Sequence, residues 1–169
     1  MSKVLIPVDG SENSLQAVRH VITRIFGDSL MEVHLLHVRP PFSRHVAQFS
    51  SKGSRERYHR EIAGRALQPA RKLLNRHHVP YAVHIEVGDK ARTINRVAQR
   101  LHVDEIVMGT SRRNSFTRLL EDSVTNQVLE IAHVPVKLIA GTEVSKMEKY
   151  GVPTAVGTAL AALLMAAAD

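Results

Sequence analysis

The chain has 169 residues, a length that fits one domain able to bury a substantial core. Its formal net charge of +7 favours anionic partners such as nucleotides, nucleic acids or acidic membrane surfaces, without choosing among them. The absence of cysteine excludes disulfides and thiolate chemistry. Aromatic residues make up only 4% of the chain, which argues against a protein that stacks single-stranded bases.

Five apolar runs, each ended by turn residues or glycine, predict five β-strands. The first follows Lys3 and is too short for the hydrophobic part of a signal peptide, so we expect a cytoplasmic protein. In chain order, the predicted strands are Lys3–Val8, Glu32–Val38, Tyr81–Val87, Glu105–Met108 and Val136–Ala140.

Helical patterns with one apolar face separate the runs: Leu15–Ile25, Arg55–His77, Ile94–Leu101 and Val124–Ile131. Pro69 lies inside the second of these and lacks an N–H donor, so we expect a kink or restart there. Strands that alternate with helices predict an α/β fold with a parallel sheet and right-handed crossovers.

Ligands of such sheets bind beyond the carboxyl ends of the strands, where the strand order reverses. This rule directs attention to the loops Asp9–Ser14, Arg39–Ser54, Gly88–Thr93 and Gly109–Ser123. We expect one domain over residues 1–141, which includes a mobile loop at Pro40–Arg57.

Residues 142–169 are predicted to form a polar linker and an apolar tail helix rich in Ala and Leu. The tail contains Pro153 and Gly157 and is shorter than the about 20 apolar residues of a spanning helix. Membrane contact through residues 152–168 is therefore less expected than packing on the domain or on a partner.

The strongest candidate site is the polar, basic loop that follows the fourth strand. Gly109 ends that strand, and a helix begins near Ser123, where unpaired N–H groups and the Thr125 hydroxyl favour phosphate. Arg112 adds a cation. Alternatively, Ser123 or Asp122 only caps the helix, and Gly109 only lets the chain turn.

Four segments together resemble the universal stress protein family, in the family's order and spacing from about Ser2 to Ala140. They are Ile6-Pro7-Val8-Asp9-Gly10-Ser11, Leu35-Leu36-His37-Val38, Ile106-Val107-Met108-Gly109 and Val134-Pro135-Val136. The resemblance implies an open five-stranded parallel sheet of order 3-2-1-4-5 with helices on both faces, the adenine nucleotide alpha hydrolase-like fold. It also implies a homodimer through strand 136–140, whose exposed edge is a template for pairing.

Many family members bind ATP through Gly-x-x-Gly-x9-Gly-Ser/Thr. Here Gly109 and Ser123 keep the first and last positions at the family's spacing, while Arg112 and Asp122 replace the second and third glycines. The Asp122 carboxylate would repel phosphate or occupy the N–H groups that phosphate needs. The resemblance otherwise implies a site for ATP or a related adenine nucleotide, with Mg²⁺ as a companion. Its remaining contacts fall on Pro7, Val8, Asp9, Val38, Met108, Val124 and Thr125.

Other chemistry has weaker support. The ten histidines show no metal-ligand spacing, and no Gly-x-Ser-x-Gly segment marks a nucleophile. Ser11 and Asp89 are predicted to cap helices, and Asp104 is predicted to be a solvated turn residue. The basic stretch Ser51–Arg76 raises nucleic acid as a hypothesis, although nucleic acid is not the expected partner.

Two functions remain. The first is a nucleotide-responsive stress module that binds ATP or a relative, acts through its dimer, and hydrolyses ATP slowly at most because no general base is evident. The second is a dimeric stress-response interaction protein that binds no nucleotide.

Overall fold

The computed structural model describes residues 2–27, 30–41, 52–110 and 123–141. Arg112 and Asp122 lie outside these residues, and so do the interior of the loop after the fourth strand and the predicted tail. The order of the elements is β1 Ser2–Pro7, α1 Glu12–Gly27, β2 Met31–Arg39, α2 Lys52–Arg76, β3 Tyr81–Val87, α3 Lys90–Leu101, β4 Glu105–Thr110, α4 Val124–Ile131 and β5 Val136–Ala140.

The five strands form one parallel sheet in the order β3-β2-β1-β4-β5, which confirms the predicted architecture. Because successive side chains of a strand point to opposite faces, neighbouring residues of β1 enter different cores. Ile6 packs with α1 and α2 on one face of the sheet. Leu5 packs with α3 and α4 on the other.

Helix α2 is longer and more regular than its sequence indicates. It begins at Lys52, so the predicted loop Pro40–Arg57 is wrong for its last six residues. Of the predicted kink or restart at Pro69, the restart is wrong, because one helix runs through the proline to Arg76. One lost N–H donor is offset by the apolar face that α2 buries against the sheet, at Ala63, Leu67, Ala70 and Leu74.

Asp104 is exposed and lies in a bend, as predicted, and it also makes two hydrogen bonds to the start of β1. Its backbone N donates to Lys3 O at 2.8 Å, and its carboxylate Oδ2 accepts from Lys3 N at 2.7 Å. These two bonds fasten the segment before β4 to the start of β1, and so hold the central strands in register.

The switch point of the sheet lies between β1 and β4. The helices that follow these strands, α1 and α4, lie on opposite faces of the sheet, so a crevice opens at the carboxyl ends of the strands. Helices α1, α3 and α4 all begin at this edge. Among the described helices, none is long and apolar enough to cross a membrane.

Candidate functional site

A pocket opens at the carboxyl edge of the sheet, between the ends of β1, β2 and β4 and the first turns of α3 and α4. It gathers eight of the predicted binding residues: Pro7, Val8, Asp9, Val38, Met108, Gly109, Val124 and Thr125. It adds five that sequence reasoning missed: Ser11, Ser14, Leu36, Lys90 and Ile94.

The inner part of the pocket is apolar. Leu36, Ile94 and Met108 are buried and come from β2, α3 and β4, while Val38 is partly buried beside them. Three elements thus converge on one slot with no charged group at its base. Such a lining suits an apolar, uncharged part of a ligand.

The end of β1 is held in place by two hydrogen bonds at Val8. Its N donates to Leu36 O at 2.7 Å, which extends the pairing with β2 beyond Pro7. Its carbonyl accepts from His37 Nδ1 at 2.7 Å, and because a carbonyl only accepts, Nδ1 carries the hydrogen. The buried imidazole therefore fixes the direction in which the chain leaves the sheet towards Asp9.

Asp9 and Ser11 form a tight polar turn at the rim. Asp9 Oδ1 accepts from Ser11 N at 2.9 Å and from Ser11 Oγ at 2.6 Å. Burial acts to raise the pKa of Asp9, but the hydrogen bonds from Ser11 and Ser14 outweigh it and hold the pKa below its ordinary value. Asp9 is therefore an ionised acceptor at neutral pH, suited to ligand N–H or O–H groups.

Ser11 also caps α1, as predicted, because its Oγ accepts from Ser14 N at 3.2 Å. Gly10 makes the intervening turn possible with a φ of +87°, a value that favours glycine. A Cβ at Gly10 would also lie 3.2 Å from the Cα of Ala66 in α2. Helix α2, on the opposite face of the sheet from α3 and α4, thus packs against the turn that forms the rim of the pocket.

Gly109 has a packing role that its motif position does not reveal. It belongs to β4, and a Cβ there would lie 1.7 Å from the carbonyl oxygen of Asn13 in the first turn of α1. A Cβ at Gly141 would meet the side chain of the same asparagine, 1.7 Å from Oδ1. Gly109 therefore serves the close approach of α1 to β4, with or without a ligand.

The first turn of α4 forms one wall of the pocket. Ser123 caps the helix, since its Oγ accepts from Asn126 N at 3.2 Å. Of the two predicted caps, Ser123 and Asp122, the serine is therefore the one that the structure shows. The hydroxyl hydrogen of Ser123 is still available to donate, because the cap uses the oxygen as acceptor. The amides of Val124 and Thr125 belong to the first helical turn, where N–H groups have no partner within the helix. This wall is a donor surface with partial positive charge.

Lys90 is the missed residue with the clearest chemistry. It is exposed and occupies the first position of α3, after Asp89, whose carboxylate caps the helix by accepting from Arg92 N at 2.9 Å. A cation at a helix N-terminus opposes the helix dipole. The loop Gly88–Thr93 is among the predicted carboxyl-edge loops, and the presence of a cation in it is the sequence signal that could have identified Lys90.

The described residues contain no cluster of His, Cys, Asp or Glu that could hold a metal ion. The nearest approach to a histidine cluster is His34 Nδ1 at 3.1 Å from His84 Nε2, between β2 and β3. These rings belong to neighbouring strands and do not line the pocket.

The comparison with protein families decides the assignment. The model of the Universal stress protein family matches residues 1–139. The chain belongs to this family. The resemblance predicted from four short segments is thereby confirmed, and the matched residues end one position before the end of β5.

Similar proteins agree with this membership. Universal stress protein MJ0531 of Methanocaldococcus jannaschii is 29% identical over 142 residues, which cover 81% of each chain. The solved structure of hypothetical protein MJ0577 has a TM-score of 0.66 and 27% identity over 85% of this chain and 98% of its own. A universal stress protein family protein from Arabidopsis thaliana, solved with AMP bound, has a TM-score of 0.62 and 18% identity over 92% and 99%. At that identity, the last comparison shows the fold alone.

Proposed function

We propose that the pocket binds an adenine nucleotide and that binding, rather than turnover, is the function of this universal stress protein family module. The observation that carries the proposal is the continuity of an apolar slot with the first turn of α4 in one pocket. The Arabidopsis relative with AMP bound adds support, since it has the same fold. A stress-response role and a cytoplasmic location remain expectations.

The charges of the pocket favour one orientation of the ligand. An ionised Asp9 repels phosphate but accepts hydrogen bonds from ribose hydroxyls or a base amino group. The base then fits the slot of Leu36, Val38 and Ile94, and the phosphate faces the first turn of α4 at Val124 and Thr125. Lys90 offers a compensating positive charge at the rim.

The test begins with the purified full-length chain. After denaturation, released nucleotide is identified by chromatography, and the emptied protein is titrated with AMP and with ATP by calorimetry, with and without Mg²⁺. We expect adenine nucleotide in the supernatant or heat of binding from at least one titration. The absence of both signals would overturn the proposal.

Two variants of α4 locate the phosphate. Thr125→Asp and Asn126→Asp each add one carboxylate to the first turn of the same helix, with the same effect on the helix dipole. Thr125 lines the pocket, whereas Asn126 is exposed and does not. Thr125→Asp should weaken nucleotide binding by about tenfold or more, and Asn126→Asp by less than about threefold. Equal losses would place the phosphate elsewhere.

We further propose that the chain is a homodimer whose β5 strands pair along their edges. Strand β5 is at one end of the sheet, and Leu138 in it is 38% exposed, which leaves an apolar side chain next to an open edge. Light scattering should give twice the chain mass. Leu138→Lys should halve that mass, while Leu129→Lys, at a residue of α4 that is 46% exposed, serves as the control.

The second candidate function is an interaction protein that binds no nucleotide. It is favoured by Arg112 and Asp122, which replace two glycines of the family's ATP motif. The substitution Asp122→Gly tests whether the carboxylate at this position prevents nucleotide binding. If the carboxylate weakens phosphate binding, the substitution should raise ATP affinity by about tenfold. A wild-type chain with no nucleotide signal, and no gain in Asp122→Gly, would support the interaction protein.

A further inference from the structure

The positive charge of the chain is concentrated in one helix. Within Lys52–Arg76, eight Lys and Arg stand against two Glu, so α2 accounts for six of the seven net positive charges. The rest of the chain is therefore nearly neutral. Because the excess positive charge is confined to 25 residues, it produces a positive electrostatic potential around α2 rather than over the whole surface.

The structure places much of this charge along the outer side of α2. The helix buries its apolar side against the sheet at Ala63, Leu67, Ala70 and Leu74. The cations then lie away from the core, partly or fully exposed. We call this set the basic ridge; it consists of Arg57, Arg60, Arg65, Arg71, Lys72 and Arg76.

The ridge is long and covers somewhat less than half of the helix circumference. At about 1.5 Å per residue, Arg57 and Arg76 are separated by roughly 28 Å along the helix axis. In the part of the chain that the structure describes, Arg65 with Glu61 is the one ion pair on α2, and both side chains are mostly exposed. Gly64 leaves a shallow groove flanked by Arg65, Arg71 and Lys72.

This shape matches a linear polyanion better than a lipid surface. A membrane-bound amphipathic helix inserts its apolar face into the bilayer, but α2 has already buried that face in the core. Duplex nucleic acid presents about one negative charge per 1.7 Å of its axis, so a band of cations along one side of a long helix can face several phosphates at once. Five of the six ridge cations are arginine, whose planar guanidinium binds phosphate oxygens in pairs.

We propose that the basic ridge of α2 binds the phosphate backbone of duplex nucleic acid without reading its sequence. The ridge belongs to the opposite face of the sheet from α3 and α4, which wall the nucleotide pocket. The two surfaces are therefore separate, and either can exist without the other. Low aromatic content is consistent with backbone contact to a duplex rather than stacking on single-stranded bases.

The experiment measures anisotropy of fluorescently labelled duplex DNA and duplex RNA of unrelated sequences, titrated with the full-length chain at salt concentrations from about 50 to 200 mM. The test variant is the double substitution Arg60→Gln and Lys72→Gln. The matched control is Arg92→Gln and Arg96→Gln, which removes the same charge from exposed residues of α3. Circular dichroism of both variants shows whether they fold as wild type does.

We expect binding that weakens steeply with salt and differs little between sequences. The ridge variant should reduce the slope of log affinity against log salt by about 1 to 2, since each lost phosphate contact removes about 0.9. The control should keep the wild-type slope. Equal losses in both variants, or no duplex binding at about 50 mM salt, would overturn the proposal. Binding to vesicles that contain phosphatidylserine would also overturn the proposal, if the ridge variant loses that binding and no duplex binds.

Discussion

The pocket at the carboxyl edge and the basic ridge of α2 differ in how the chain builds them. The pocket takes single residues from three strands and several segments, such as Val38, Lys90 and Met108, and encloses an apolar slot beside a few polar groups. The ridge takes its charges from one continuous helix and leaves them in solvent. An enclosed site selects a ligand by shape, whereas an exposed row of cations selects only charge. We therefore expect substitutions of residues that pack against the pocket, such as Gly109, to destabilise the protein, and most substitutions on the ridge to leave its stability nearly unchanged.

Glycine substitutions test this contrast with the largest expected effect. Gly109→Ala should lower the free energy of unfolding by about 3 kcal/mol, because the new Cβ meets the Asn13 backbone, which cannot turn aside. Gly141→Ala should cost about 1 kcal/mol, because the new Cβ overlaps the Asn13 side chain, which can move, and approaches the Thr110 carbonyl oxygen no closer than 3.2 Å. Urea denaturation measures both values.

Gly64→Ala is the control on the ridge. A Cβ there has nothing within 4 Å, and alanine is the better helix former, so stability should rise by about 0.5 kcal/mol. A Gly109→Ala variant as stable as wild type would show that α1 and β4 can separate at little cost. The supports of the pocket would then be as tolerant as the ridge.

Asp9→Asn should weaken nucleotide binding by about tenfold, or about 1.4 kcal/mol, because it removes the charge that strengthens hydrogen bonds from the ligand. The amide oxygen can still accept from Ser11, so the turn should persist. Calorimetry with AMP measures the change, and Asp104→Asn at the other end of the sheet is the control. Unchanged affinity in Asp9→Asn would mean that this rim does not contact the ligand.

Ser123→Ala should destabilise the chain by about 1 kcal/mol through loss of the α4 cap. Ser123→Asn should restore most of this stability, because asparagine also caps, but it offers the phosphate no hydroxyl. Comparing the two variants in urea denaturation and in calorimetry separates capping from ligand binding. If Ser123→Ala binds nucleotide as wild type does, the hydroxyl makes no contact with the ligand.

The smallest expected effect lies away from both surfaces, at His84. Burial lowers the pKa of His84, and the nearby His34 and Arg100 lower it further, against the opposing effect of Glu86. A histidine whose folded pKa is below its unfolded value of 6.5 contributes stability above that pH and loses it as the pH falls through the folded pKa. Stability should therefore fall slightly on acidification below pH 6.5.

Urea midpoints at about pH 7.5 and 5.5 measure this effect in wild type and in His84→Gln. The variant should show the smaller difference between the two pH values. A difference as large in the variant as in wild type would assign the pH dependence to other groups.

The fold follows closely from the sequence because its signals are local and repeated. The apolar runs predict β3 and β5 to the residue, since turn residues or glycine flank both runs. The start of α2 is missed because Ser, Arg and Gly near Lys52 resemble a loop, while the burial that stabilises the helix lies several turns later. The helix does not restart at Pro69 for the same reason: tertiary packing outweighs one missing donor.

The site is less predictable because its residues meet only through topology. The resemblance indicates Asp9, Val38 and Met108, but Leu36 and Ile94 look like ordinary core residues in the sequence. The packing role of Gly109 depends on Asn13, which lies nearly a hundred positions earlier in the chain. No local pattern carries that information.

The position of Asn13 between Gly109 and Gly141 also constrains how this part of the chain can evolve. A relative that carries a side chain at position 141 must give up the asparagine at position 13, or shift the first turn of α1. A side chain at position 109 requires the larger change of moving the backbone. Positions 13 and 141 should therefore covary among relatives, while position 109 should stay glycine even in relatives that bind no nucleotide.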